Sequence, residues 1–484
     1  LNATVHDGTG ADAASAGVRI EGDTIVAFGD VSPSEADEVV DASGLILAPG
    51  FIDTHSHGDG DLFENRDALA AVSQGITTIV VGQDGGSEFP LSDFFARIER
   101  EPVSVNVASY AGHGTIREEV MGDDYRREAT EEEIEKMRQI LLGEMQAGAL
   151  GLATGLEYDP GIYSSTDEVI TLAREAASWG GRYMSHLRSE DRYFWEAVEE
   201  TLTIGREANL PVQISHTKLA LRSLFGQTER LLERLDEARA EGIDVTADIY
   251  PYTYWQSTLT VMFPDRDFEN REAALFAVTE LSSPENMLIP VYAPEPSYAG
   301  KTLAEIAALR GQESDPAQTL IDLIRDAEEH RASGETRVES VIATSMDEAD
   351  IEELMRWPHM NFCTDGALDG AHPRGYGTYP RILGRYVRER SVLPLAQAIR
   401  KMTSLAATNV GIGDRGRIAV GQKADLVLFD EAGVIDHATP DEPHLVSEGI
   451  EGVWVNGEAV FEAARTTGRY PGRVLRREAA SSSE

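Results

Sequence analysis

Arg182-Tyr183-Met184-Ser185-His186 has the alternation of a β-strand and ends in a histidine, and the same design returns at Pro211-Val212-Gln213-Ile214-Ser215-His216. Between the two lies a helical stretch running to about Ala208. A further helical stretch, to about Glu241, leads to the next strand, Ile243-Asp244-Val245-Thr246-Ala247-Asp248. Strands separated by helices long enough to cross back over a sheet mark parallel β/α architecture. The even cadence predicts a closed (β/α)8 barrel of the TIM type rather than an open sheet.

Working outward, the cadence holds on both sides. Upstream, a helix at about 130–148 opens on the capping-box pair Thr130 and Glu133, stacks Ile134, Met137, Leu141 and Met145 on one face, and stops at Gly148. The strand Ala149-Leu150-Gly151-Leu152-Ala153-Thr154 follows, and Ser165 with Glu168 caps the next helix. Earlier still, Ile76-Thr77-Thr78-Ile79-Val80-Val81 and Val103-Ser104-Val105-Asn106-Val107 supply further strands, and Phe362-Cys363-Thr364-Asp365 supplies the last. From about 260 to 340 the cadence breaks into a segment rich in Pro and Glu, expected to be an insertion over the active face. Val338-Glu339-Ser340-Val341-Ile342-Ala343-Thr344 is one strand more than eight positions require.

Both ends of the chain have an all-β texture: short apolar runs between Gly, Asp and Ser turns before residue 48, and again in Ala424–Phe429 and Gly452–Gly457. Neither end is long enough to bury a core alone, so residues 1–48 and 410–484 are expected to form one small composite β-sandwich, with the catalytic barrel at 49–409. Beyond the polar tail Ser481-Ser482-Ser483-Glu484, no repeat or low-complexity tract stands out.

The chain of 484 residues carries 84 acidic and 42 basic side chains, a formal charge of −42. Such a polyanion is the wrong partner for nucleic acid or for an anionic membrane surface. It suits a self-repelling soluble surface or life in high salt, where screening removes the repulsion. One cysteine, Cys363, excludes disulfides within the chain and cysteine-rich zinc sites. No apolar run reaches membrane-spanning length and no secretory segment opens the sequence. A cytoplasmic location is the expectation, with a secreted or periplasmic one open because the sequence begins inside a first strand. The number of subunits is not encoded legibly, and a homo-oligomer is compatible with the sequence.

The strongest local motif is Pro49-Gly50-Phe51-Ile52-Asp53-Thr54-His55-Ser56-His57. Period 2 puts both imidazoles on one side of a strand end, a natural pair of ligands for a divalent metal. Alone, His-x-His is more often two hydrogen-bonded histidines. Here His186, His216 and Asp365 also end strands, where barrel enzymes carry their catalytic residues. One or two divalent ions in such a cluster would polarise a carbonyl and bring a water's pKa toward neutrality. Asp365 would take that water's proton and hand it to a leaving nitrogen.

With these residues placed, the chain resembles the amidohydrolase superfamily over nearly its whole length: Gly50–His57 is similar to the first-strand signature, and His186, His216 and Asp365 fall where the strand-five, strand-six and strand-eight ligands belong. Within the superfamily it most resembles the N-acyl-D-amino-acid deacylases, through Gly112-His113-Gly114-Thr115-Ile116-Arg117, Thr154–Gly161, Ser215-His216-Thr217-Lys218, Asp248-Ile249-Tyr250-Pro251-Tyr252 and His372-Pro373-Arg374-Gly375-Tyr376-Gly377. The resemblance implies one or two zinc ions per chain and hydrolysis of the amide of a small N-acyl-D-amino acid. It also implies that Lys218, Tyr250 and Arg374 bind the substrate carboxylate, a role that suits a Lys point charge and an Arg fork. His113 would reach the substrate carbonyl or serve as a satisfied structural histidine.

One departure stands out. Deacylases of this family carry a cysteine ligand after the second strand, whereas this chain reads Val81-Gly82-Gln83-Asp84-Gly85 and offers Asp84. Glu157, after the fourth strand, stands where many superfamily members supply a bridging group, and it is the expected bridge between two metals. Asp84 would ligate directly or hold a histidine in place. Other amides bearing a carboxylate fit the same residues: dipeptides, cyclic amides, an amide-linked toxin. A barrel reduced to a binding protein would be expected to have lost ligands or base, yet all five are present. A deaminase would have little use for Lys218 and Arg374.

Overall fold

The computed structural model describes residues 1–332, 334 and 337–477, and the tail at 481–484 lies outside them. Eight parallel strand positions form a ring: Phe51–Asp53, Ile76–Val81, Asn106–Ser109 continuing as Ala111–Gly112, Gly151–Gly155, Arg182–His186, Val212–Ile214, Val245–Ile249 and Met360–Phe362. Parallel pairing runs from the first to the third position, and from the continuation of the third through to the eighth. The ring closes at the motif residues themselves. Ser56 bridges Gly366, the Asp365 N–H donates to the His55 carbonyl at 2.8 Å, and the His57 N–H donates to the Gly366 carbonyl at 2.9 Å. Closing the barrel therefore brings two histidines from one end of the barrel sequence against an aspartate from the other.

The helices form where their signals predict. Glu131–Ala147 starts from a complete Thr130–Glu133 capping box and ends at Gly148, whose φ of +113° suits a residue without a Cβ. Its Met137, Leu141 and Met145 are buried, with Ile134 half-buried. At Thr166–Ser178 only half of the expected box forms. Ser165 accepts the Glu168 N–H, but the Glu168 carboxylate turns inward to His113 and Arg117.

An eight-stranded sheet gathers strands from both ends of the chain, with Leu426–Phe429 antiparallel to Ile46–Pro49 and Val427 opposite Ala48. Val5, Ile25, Ile418, Leu426 and Leu428 belong to its small separate core. The strand Ile46–Pro49 runs through Gly50 directly into the first barrel strand. A Cβ on Gly50 would sit 2.3 Å from the Thr77 side chain, so only glycine allows the join. The terminal sheet thus anchors the strand that delivers His55 and His57.

The surplus strand finds its place in a four-stranded antiparallel sheet ordered Tyr254–Ser257, Glu339–Thr344, Met287–Tyr292 and Lys301–Thr302. Helices such as Leu303–Leu309 and Pro316–Arg331 accompany it. This segment departs from the barrel at Tyr254 and returns at Thr344, a wider span than the break in cadence at 260–340 suggests. Among the described residues no helix is long and apolar enough to cross a membrane.

Candidate active site

The site lies at the C-terminal ends of the strands, where each turn must aim a side chain inward. Three of its residues adopt the left-handed backbone region: Asp84 at φ +52°, His216 at +33° and Asp365 at +50°. Non-glycine residues rarely sit there, and they persist only where neighbours fix them. Beneath the site a polar layer does so. Asp248 accepts the His216 N–H at 2.5 Å and the Gln213 amide at 2.6 Å. Asp53 accepts the Thr364 N–H at 2.8 Å and its hydroxyl at 2.5 Å, next to Asp365.

Above that layer the predicted ligands converge. Asp84 Oδ2 is 3.4 Å from Nε2 of both His55 and His57, and Asp365 Oδ1 is 3.5 and 3.1 Å from the same two atoms. The other oxygen of Asp84 faces a second group: Oδ1 lies 3.3 Å from His216 Nε2, which is 3.0 Å from His186 Nδ1. Among the described residues three groups could each hold a cation, His55-His57-Asp84-Asp365, Asp84-His186-His216 and Glu157-His186-Glu190, with Asp84 common to the first two. Glu157 Oε2 instead contacts His186 Nε2 at 2.9 Å, on the side of the ring away from His216. That is the arrangement in which a carboxylate orients a ligating histidine. Asp84 is thus the carboxylate common to the first two groups, and Glu157 joins His186 and Glu190 in the third.

The chemistry of these donors fits a metal. His55 makes no hydrogen bond from either ring nitrogen and Asp84 makes none from Oδ1, although all three atoms are buried. Buried polar atoms are ordinarily satisfied, and cations seated between these groups would satisfy them. Burial opposes charge on Asp84 and Asp365. Even so, His55 and His216 beside Asp84, and Arg374, His216 and His57 beside Asp365, hold both carboxylates well below the usual range. Burial raises Glu157 instead, against the pull of His186.

Lys218, Tyr250 and Arg374 stand beside the cluster, lining one cavity of about 660 Å³ with His57, Asp84 and Asp365. The Tyr250 ring centroid lies 4.9 Å from the Arg374 guanidinium carbon and 5.8 Å from Lys218 Nζ. Its hydroxyl is buried without a hydrogen-bond partner, as is Arg374 Nε. Arg374 Nη1 holds Asp365 Oδ2 at 2.6 Å. Lys218 is held by Glu190, which no sequence pattern marks: both Glu190 oxygens are 2.6 Å from Nζ, and one is 3.1 Å from His216 Nδ1. Burial pushes Glu190 up, but Lys218, His186 and His216 bring it down to about 2. His372 accepts the Arg374 N–H at 3.0 Å and hydrogen-bonds the Tyr254 carbonyl, shaping the loop that presents Arg374.

His113 is not brought to the cluster. It starts the helix His113–Met121, fully buried, with Nε2 2.8 Å from Glu168, whose two oxygens also take Arg117 Nη1 at 2.6 and 2.5 Å. Breaking a buried pair on one side leaves an uncompensated charge, so Glu168→Gln is expected to cost about 3 kcal/mol of stability. Urea unfolding measures that loss, and metal content should be unchanged.

Residues 38–461 match the Amidohydrolase family. The chain is 35% identical to D-aminoacylase of Alcaligenes xylosoxydans xylosoxydans over 99% of this chain and 97% of that one. It is 36% identical to N-acyl-D-glutamate deacylase of the same organism, over 98% of this chain and 95% of that one. The crystal structure of N-acyl-D-glutamate deacylase from Bordetella bronchiseptica superposes with a TM-score of 0.87 at 34% identity, covering 98% of each chain; it was solved with zinc and a phosphonate inhibitor that mimics the tetrahedral intermediate. With its barrel closed at His55 and Asp365 and its ligands at the strand ends, this chain belongs to the amidohydrolase family, in the branch of the N-acyl-D-amino-acid deacylases.

Proposed function

We propose that this protein hydrolyses the amide bond of N-acyl-D-amino acids, giving a carboxylate and a free D-amino acid, with Asp365 as the proton-transferring residue. The observation that carries this reading is the opening of the Asp84-centred cluster and the Lys218-Tyr250-Arg374 group onto one cavity. His55, His57, Asp84 and Asp365, together with Asp84, His186 and His216, would hold zinc, which would supply Lewis acidity to polarise a carbonyl and acidify water. Glu157 fixes the His186 ring through Nε2, leaving Nδ1 toward the cluster.

The chain's own residues supply the rest. Arg374 occupies Asp365 Oδ2, which leaves Oδ1 as the oxygen facing the histidines. Asp365 takes a proton from the attacking water as its oxygen adds to the amide carbon, then delivers that proton to the nitrogen as the C–N bond breaks. Lys218, the Tyr250 hydroxyl and the free Nε of Arg374 bind the substrate carboxylate by charge-assisted hydrogen bonds. Glu190 keeps Lys218 extended into the cavity. Preference for the D enantiomer rests on the relatives.

Replacing the substrate's free carboxylate by a carboxamide tests the reading. Loss of a charge-assisted contact of about 2–3 kcal/mol corresponds to roughly 100-fold. N-acetyl-D-methionine is expected to be cleaved about that much better, in kcat/KM, than its C-terminal amide. Equal cleavage of the two would remove the carboxylate-binding role of Lys218 and Arg374 and with it the deacylase reading.

A further inference from the structure

We infer that Glu190 is a positioning residue for the metal cluster: it fixes the His216 ring with its proton on Nδ1 and its Nε2 lone pair toward the cluster, and it keeps Lys218 from donating to that same ring. The inference rests on the metal-dependent deacylase reading, in which His216 is a ligand.

His216 Nδ1 meets two groups at once. Lys218 Nζ is 2.7 Å away and Glu190 Oε1 is 3.1 Å away. The opposite ring nitrogen, Nε2, faces Asp84 Oδ1 at 3.3 Å. A neutral imidazole carries one N–H and one lone pair, whereas an ammonium carries donors alone. When the Nε2 lone pair serves a metal, the ring proton sits on Nδ1, which must then donate. Lys218 cannot accept that hydrogen bond, and Glu190 Oε1 can. Without Glu190, the ammonium at 2.7 Å would donate to Nδ1 and drive the ring proton to Nε2, the nitrogen a metal needs free. Glu190 prevents this by taking up the ammonium itself, with both oxygens 2.6 Å from Nζ. Of the three groups able to hold a cation, the one containing Glu190 therefore already faces one, supplied by the chain.

The backbone fixes this meeting point. Glu190 lies four residues beyond the strand Arg182–His186, and Lys218 lies four beyond Val212–Ile214. The Glu190 carbonyl accepts the Ala220 N–H at 3.1 Å, which ties the loop after one strand to the loop after the next. Its side chain is buried there. His186 is served in the same way by Glu157 at Nε2, so each of the two neighbouring histidines has a carboxylate on the ring nitrogen turned away from the cluster.

Zinc competition between the full chain and a chromophoric chelator, without substrate, tests this. Glu190→Ala is expected to weaken binding of one zinc per chain by about 10–100-fold. That variant also leaves Lys218 unpaired beside the cluster, and repulsion from its charge would give a similar loss. A Lys218→Met background removes the ammonium and separates the two effects. There Glu190→Gln, whose amide oxygen still accepts from Nδ1, is expected to keep zinc affinity within about threefold of Lys218→Met, while Glu190→Ala loses about tenfold or more. Thermal unfolding of each variant checks that it is folded, and neither double variant has a buried ammonium left without a partner. Equal zinc affinity of Lys218→Met with and without Glu190→Ala would overturn the inference, leaving Glu190 as a counter-charge to Lys218 alone. Binding of an additional zinc ion by Lys218→Met would also overturn it, by making Glu190 a ligand together with Glu157 and His186. A protein that shows the expected zinc affinities yet cleaves no N-acyl-D-amino acid would uphold the role of Glu190 and sink the deacylase reading alone.

Discussion

Asp365→Asn is expected to lower kcat by at least about 10³-fold while KM changes far less. The substitution keeps the size of the side chain and the main-chain bond from residue 365 to the His55 carbonyl, so the barrel closure survives. What it removes is the basic oxygen at 3.1 Å from His57 Nε2, the group assigned to accept a proton beside the cluster and return it to nitrogen. Arg374 loses its carboxylate partner but keeps Tyr250 beneath it, so binding of the substrate carboxylate should persist. Steady-state kinetics on N-acetyl-D-methionine, with thermal unfolding as a check on folding, separates this from a general defect. A loss confined to KM would place Asp365 in binding rather than proton transfer.

The second large effect concerns Asp84. Because each of its oxygens faces a different ligand set, Asp84→Ala removes a ligand from both. Bound zinc after dialysis is expected to fall below one ion per chain, with kcat/KM down by about 10³-fold. Asp84→Cys restores the residue type of the family this chain resembles and supplies a thiolate suited to zinc. It is expected to keep its metal and to stay within roughly tenfold of the parent activity. Atomic emission measures the metal directly. Full zinc occupancy in Asp84→Ala would mean that Glu157 or Glu190 carries the bridge instead.

The contrast between Asp84 and Glu157 shows where the sequence stops being legible. Strand cadence and histidines or an aspartate at certain strand ends are local features with fixed periods, so the barrel and the candidate ligands His55, His57, His186, His216 and Asp365 can be read from them. Which carboxylate meets both metal sets depends on how a turn curls after its strand. Here Gly82, at φ +73°, passes so close to Tyr110 that a Cβ would sit 2.3 Å from its carbonyl oxygen, and Asp84 follows in the left-handed region. Nothing in the spacing announces that curl. Glu190 was hidden for another reason: in a chain with 84 acidic residues, one more carboxylate four places after His186 carries no signal. His113 illustrates the reverse case, a motif histidine drawn away by a buried partner, Glu168, that local patterning assigns to a helix cap. Glu339–Thr344 has the apolar run of a barrel strand, and only its long-range pairing with Tyr254–Ser257 and Met287–Tyr292 distinguishes it.

The most direct test of the account is hydrolysis of matched N-acetyl-D- and N-acetyl-L-amino acids by the purified protein, with zinc present and after removal by a chelator. The account predicts turnover of the D series, abolished by the chelator and restored by zinc, with the L series at least about 100-fold slower. Turnover that survives complete metal removal, or a zinc-loaded protein that cleaves neither enantiomer, would contradict it.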